Sequence, residues 1–125
     1  MTSATQICYL VIMLNDKTKN WANVRLLKVL ASETRLTILE WLKDPVAHFP
    51  PQIDGDLIRD GVCADFIREK LGITAATASR HLSLLTETGL LFATRKKGWT
   101  FYRRNEQALQ NSLQQLQSSL LKEMP

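Results

Sequence analysis

Only two cysteines, Cys8 and Cys63, occur in the 125 residues, and no CxxC pair exists. That excludes a disulfide framework and a cysteine-paired structural zinc site. Histidine is equally scarce, with His48 and His81 alone. There is no glycine-rich phosphate loop and no nucleophile–base or paired-carboxylate constellation, so an enzyme has nothing to work with. The longest apolar run, Ile7–Leu14 (ICYLVIML), is eight residues. It is too short to span a bilayer, and no basic stretch precedes it as in a signal peptide. The expectation is a cytoplasmic protein with no membrane role and no cofactor.

At 125 residues and 45% apolar composition the chain makes one ordinary domain, small enough for pairing to help it. The net charge of +4 is unevenly placed. Residues 1–70 hold nine basic and nine acidic groups, whereas residues 71–125 hold seven and three. Within residues 74–104 the six cations Arg80, Arg95, Lys96, Lys97, Arg103 and Arg104 face one anion, Glu87. Positive charge gathered in one short stretch suits phosphate neutralisation with counterion release.

That stretch lies within Leu71–Arg104, LGITAATASRHLSLLTETGLLFATRKKGWTFYRR. Thr74 stands at an N-cap, and Ala78, His81, Leu82 and Leu85 follow at i, i+3, i+4 and i+7, lining one helix face. Ala76, Ser79, Arg80 and Ser83, with Thr77 at the edge, fall on the other face, slim, polar and carrying one forked cation. Gly89 ends the helix. Two β-prone segments then turn at Lys97-Gly98, with Trp99, Phe101 and Tyr102 on the return and cations around them. A helix shaped for a groove beside a basic ribbon is a winged helix-turn-helix: the helix reads the major groove and the wing lies along phosphates.

The run ITAATASRHLSLLTETGLL followed by GWTFYR resembles the helix-turn-helix and wing of ArsR/SmtB-type transcriptional repressors. LASETRLTILEWL resembles the family's preceding helix, and the similarity covers roughly residues 21–121. The resemblance implies a dimeric repressor of double-stranded DNA, and in many members a metal or oxidant that releases it. Ala75 and Ala76 stand where many relatives have glutamine and proline, so the family's operator preference does not carry over.

The remaining elements complete an order α-α-α-α-β-β-α, mainly helical with a two-stranded wing. Residues 1–20 form an N-terminal arm or extra dimerisation segment, and residues 21–125 the winged domain. Asn20 caps a helix from Trp21 to about Ala31, carrying Val24, Leu27 and Ala31 on one side and Leu26 and Leu30 beside them. Ser32 caps the next, apolar nearly all round and expected to be the most buried, which ends before Asp44-Pro45. A helix from about Cys63 to Leu71 opens the helix-turn-helix. After Asn105, Leu109, Leu113, Leu116 and Leu120 repeat at heptad spacing. With Leu26 and Leu30 they form the expected dimerisation surface, and a two-fold dimer predicts an inverted-repeat operator. Residues 44–62 (DPVAHFPPQIDGDLIRDGV from Asp44) exceed the usual family connection and are either a surface insertion or a pocket for a small-molecule effector.

The candidate DNA-contacting residues are Thr74, Thr77, Ser79, Arg80, His81 and Ser83 on the helix and Arg95, Lys96 and Lys97 on the wing. Arg80 suits a bidentate guanine contact or a phosphate clamp. His81 packs or touches phosphate, and Trp99 and Tyr102 belong to the hairpin core. No metal is expected. The family's cysteine positions in an ELCVCDL-like stretch become Val62 and Ala64, with Cys63 between them, and the last helix has no histidine. Cys63 at a helix N-terminus, where the dipole favours thiolate, is either a plain structural cysteine or a redox switch. A winged-helix module that binds protein without sequence-specific DNA recognition is the third reading.

Overall fold

In the computed structural model, which describes residues 20–124, helix ends fall where local chemistry satisfies the free backbone groups. Helix α1 covers residues 20–30, so Asn20 lies within the helix and does not cap it; the arm, with Ile7–Leu14 and Cys8, lies outside the described residues. Helix α2 (Glu33–Lys43) begins at Ser32, whose hydroxyl accepts the Arg35 N–H at 3.3 Å. Proline then starts a separate short helix, α3 (Pro45–His48). Helix α4 (Ala64–Leu71) ends at Gly72, whose φ of 69° lets its N–H reach the carbonyls of Arg68 and Glu69. Helix α5 (Ala75–Glu87) follows, then strands β2 (Leu91–Lys96) and β3 (Trp99–Arg104), then helix α6 (Glu106–Leu120), which Asn105 caps through the Ala108 N–H at 3.1 Å. At the wing tip Lys97 and Gly98 both have positive φ, 52° and 81°. This is the primed geometry that a two-residue hairpin turn needs.

The sheet has three strands, not two. Val62–Cys63 form β1, pairing antiparallel with β3 at Tyr102 and Phe101, and the order is β1-β3-β2. Two residues carry no readable alternation, so only tertiary pairing defines this strand. The structure consequently starts α4 at Ala64 and makes Cys63 its N-cap residue.

Residues 49–61, here called the strap, lie against this sheet. Gln52 ties it on both sides: its Oε1 accepts the Cys63 N–H at 2.7 Å and its Nε2 donates to Gly61 O at 2.9 Å. Asp56 Oδ1 accepts the N–H groups of Ile58 and Arg59, and Asp60 Oδ2 accepts that of Asp56. These backbone donors hold both carboxyls below their usual range, so the turn is intact at neutral pH and loosens in strong acid. Leu57 packs on the core while Ile58 is exposed.

Leu26, Val29, Ile38, Leu39, Leu42, Ile67, Leu82, Leu85, Leu90 and Leu109 share one core cluster. Asn23 on α1, itself buried, donates to Ser119 Oγ on α6 at 3.0 Å, so the two terminal helices are joined within one chain. Helix α2 is less enclosed than expected, since Ile38, Leu39 and Leu42 are buried but Leu36 is 50% exposed. None of the described helices is long and apolar enough to cross a membrane.

Candidate nucleic-acid interface

Helix α5 turns its two faces as its sequence spacing requires. Ala78, Leu82 and Leu85 are buried, while Thr74, Ala75, Ala76, Thr77, Ser79, Arg80 and Ser83 are exposed along the other side. Thr74 is already engaged: its oxygen accepts the Thr77 N–H at 3.2 Å and its hydroxyl donates to Thr77 Oγ1 at 2.9 Å. Thr77 therefore keeps its own hydroxyl proton for an outside acceptor.

His81 is half-buried and has a protein partner. Arg35 donates from Nη1 to His81 Nδ1 at 3.1 Å, and from Nε and Nη2 to the carbonyls of Val29 and Lys28 at the end of α1. A guanidinium cannot accept, so the imidazole is neutral with its proton on Nε2. Desolvation first, then Arg35 and Arg80, hold the ring below its ordinary value of 6.5. This contribution to stability is therefore present at neutral pH and is lost as pH falls from about 6.5 through the lower folded value. In urea unfolding, His81→Gln is expected to flatten the fall in stability between about pH 7 and pH 5 that the parent protein shows. An equal fall in the variant would remove His81 as its source.

The wing's cations are less available than their number suggests. Lys96 Nζ lies 3.6 Å from Asp60 Oδ2 and Lys97 Nζ 3.5 Å from Asp54 Oδ1, so the strap lends carboxylates to both lysines. The Lys97 pair is largely exposed and worth at most about 1 kcal/mol, whereas Asp60 is itself buried; both carboxylates lower the local positive field. Arg103 stacks over Phe92, 4.3 Å from the ring centroid. Arg104 donates to Leu39 O and pairs with Glu106 at 2.7 Å. Among the described residues, Arg80 and Arg95 are the cations of this region with neither an ion pair nor a stacked ring. Trp99, expected in the hairpin core, is 45% exposed: it shares a face with buried Phe101 but sits at the hairpin end, paired with Lys96 beside the turn.

Two of the six expected dimerisation residues face inward: Leu26 and Leu109 are buried in the chain's own core, and Leu30 and Leu116 pack partly against it. Leu113 and Leu120 remain exposed, joined by Trp21, Val24 and Leu27 on α1. The α1 stripe is wide enough to serve two directions, and the sequence does not say which edge turns inward.

Cys63 is buried. Among the described residues no three His, Cys, Asp or Glu side chains converge where they could hold a metal ion.

The chain is 42% identical over 86 residues to the uncharacterized HTH-type transcriptional regulator YbzH of Bacillus subtilis (strain 168), a match covering 69% of this chain and 86% of that protein. It belongs to the HTH-type transcriptional regulators. This regulator carries the DNA-binding motif of its class and is not an enzyme. Its fold is similar to HlyU from Vibrio cholerae N16961, at TM-score 0.55 and 21% identity, covering 82% of this chain and 96% of HlyU. It is also similar to the homodimeric winged helix-turn-helix DNA-binding domain of Mb0332 from Mycobacterium bovis, a possible ArsR-family regulator, at TM-score 0.52 and 22% identity, covering 100% and 95% of the two chains. These likenesses show the winged helix-turn-helix fold. No family model matches the chain.

Proposed function

We propose that this regulator is a cytoplasmic, homodimeric repressor that binds an inverted-repeat operator without a metal. The exposed row Thr77, Ser79, Arg80 and Ser83 on α5, capped by Thr74 and backed by buried leucines, carries this reading. A polar ridge with one guanidinium that has no ion pair among the described residues fits a major groove and gives little to a protein partner. Arg95 is the principal phosphate contact of the wing, with Lys96 and Lys97 as supplementary cations. His81 acts by orienting α5 against α1 and α2 through Arg35, with its Nε2 proton directed to a phosphate oxygen. Cys63, enclosed beneath the strap, is a structural residue and not a redox switch.

The dimer forms through the exposed apolar faces of α1 and α6: Trp21, Val24, Leu27, Leu113 and Leu120. Exposed apolar side chains gathered on two helix faces mark an association site. Leu27→Glu with Leu113→Glu is expected to give monomers in sedimentation velocity and to weaken operator binding at least tenfold, since each half-site then binds alone. A double variant that stays dimeric would move the interface elsewhere.

Fluorescence anisotropy on DNA from upstream of the coding region, against scrambled DNA at two salt concentrations, tests the function itself. Tight binding that prefers the upstream DNA and falls steeply with salt is expected, because each neutralised phosphate releases counterions. Equal, weak binding to both DNAs would count against autoregulation through this operator and favour the interaction-module reading.

A further inference from the structure

Beneath the strap lies a cavity of about 240 Å³, away from the exposed row of α5. Its walls come from three elements: Gln52, Ile53 and Asp54 of the strap, Cys63, Asp65, Phe66 and Glu69 around the start of α4, and Trp99 and Phe101 of β3. The cavity is built into the fold and not left by a loose loop. Gln52 anchors one wall to Cys63 and Gly61 through its amide. Gly55 sits so close to Phe101 that an added Cβ would meet the ring at 2.5 Å. At the mouth, Ile53 is fully exposed and Trp99 is 45% exposed, an apolar rim with no covering from the described residues.

The chemistry of the lining selects an occupant. Phe66, Trp99 and Phe101 supply aromatic rings, and every ionic side chain in the lining is a carboxylate: Asp54, Asp65 and Glu69. Arg68 pairs outside the lining with Asp65 and Glu69 at 3.7 and 3.6 Å, and Lys97 with Asp54 at 3.5 Å. Those pairs are partly exposed and weakened by solvent, and no cationic residue stands among the lining residues themselves. Aromatic faces and carboxylates together attract a cation whose hydration is poor, which describes a quaternary or bulky organic ammonium. A hydrated metal ion would gain nothing from the rings. The volume lies under the roughly 300–1,000 Å³ of drug-sized sites, which restricts the occupant to a molecule of about one ring.

We infer that this cavity is a binding site for a small, apolar organic cation, formed between the strap, α4 and strand β3 of the wing. The cation's charge competes with Lys97 for Asp54 while its apolar body rests on Trp99 and Phe101. Occupancy therefore bears on the wing directly. The site stands apart from the DNA-binding reading, and its test contains no DNA.

Isothermal titration calorimetry of the full chain with benzyltrimethylammonium, and with phenylmethanesulfonate as an anion of similar size and shape, decides the matter. The ammonium is expected to bind saturably and the sulfonate at least tenfold more weakly. Asp54→Asn with Glu69→Gln, checked for folding by circular dichroism, is expected to weaken the ammonium roughly tenfold, and Trp99→Leu to weaken it several-fold. Absence of saturable heat, equal binding of the two probes, or full affinity in the folded Asp54→Asn, Glu69→Gln protein would each overturn the assignment. The contrast between the two probes needs no variant, so it stands even where a substitution unfolds the chain.

Discussion

Replacing Arg80 with alanine is expected to lower operator affinity by more than about thirtyfold, while leaving the weak binding to scrambled DNA within a few-fold of the parent. A bidentate arginine contact discriminates by about 1–3 kcal/mol, and a two-fold dimer presents two. Among the described residues Arg80 is the guanidinium on α5 held by no acid, and the side chains beside it are small: Ala76, Thr77, Ser79 and Ser83. Arg80→Lys separates the two roles open to it. A lysine keeps a phosphate contact but loses the fork, so a guanine reader loses most of its discrimination in both variants and a phosphate clamp keeps it in Arg80→Lys. Anisotropy on paired operator and scrambled duplexes at fixed salt reads both outcomes, and unchanged preference in Arg80→Ala would remove α5 as the reading element.

The largest effect on stability is expected at Gly61. Its φ is 106°, a region in which side-chain-bearing residues are strained, and an added Cβ would come within 2.3 Å of the Tyr102 carbonyl oxygen and 2.9 Å of the Arg103 nitrogen. Those atoms are backbone in the central strand, so they cannot swing aside. Gly61→Ala is expected to cost about 3 kcal/mol or more. For a domain of this size that is a fall in Tm on the order of 10 °C. Gly72→Ala makes the useful contrast: φ is 69°, but nothing lies within 4 Å of its added Cβ, so about 1 kcal/mol is expected from the backbone alone. Thermal melts followed by circular dichroism compare the two. A Gly61→Ala protein melting within a few degrees of the parent would mean that β1 and the strap are not fixed to the sheet as described.

Helix α5 and the wing were readable from sequence because their signals are local. Thr74 caps within three residues, Lys97-Gly98 turns within two, and the leucine spacing of α5 reports its own buried face. Strand β1 was not readable, because Val62–Cys63 is a strand only by virtue of Tyr102 and Phe101, some forty residues later in the chain. The pairing of Lys96 with Asp60 and Lys97 with Asp54 is equally non-local: each residue looks solvent-exposed in sequence, and a charge count over 74–104 leaves the strap's acids out. The terminal helices failed differently. Their apolar stripes are visible in the sequence, but Leu26 and Leu109 turn inward and Trp21, Val24 and Leu27 outward, and stripe width alone does not assign an edge to the core or to a partner.

The three-stranded order has a thermodynamic consequence for association. A wing formed by a lone hairpin is marginal in water and would be ordered only when it meets the duplex. Here β3 is held between β2 and β1, and β1 runs directly into α4. The conformational entropy of the wing is therefore lost during folding and not during association. Coupled ordering on association leaves a large negative heat-capacity change, and this geometry calls for a small one, with a reading helix and wing that arrive at the duplex as one rigid body.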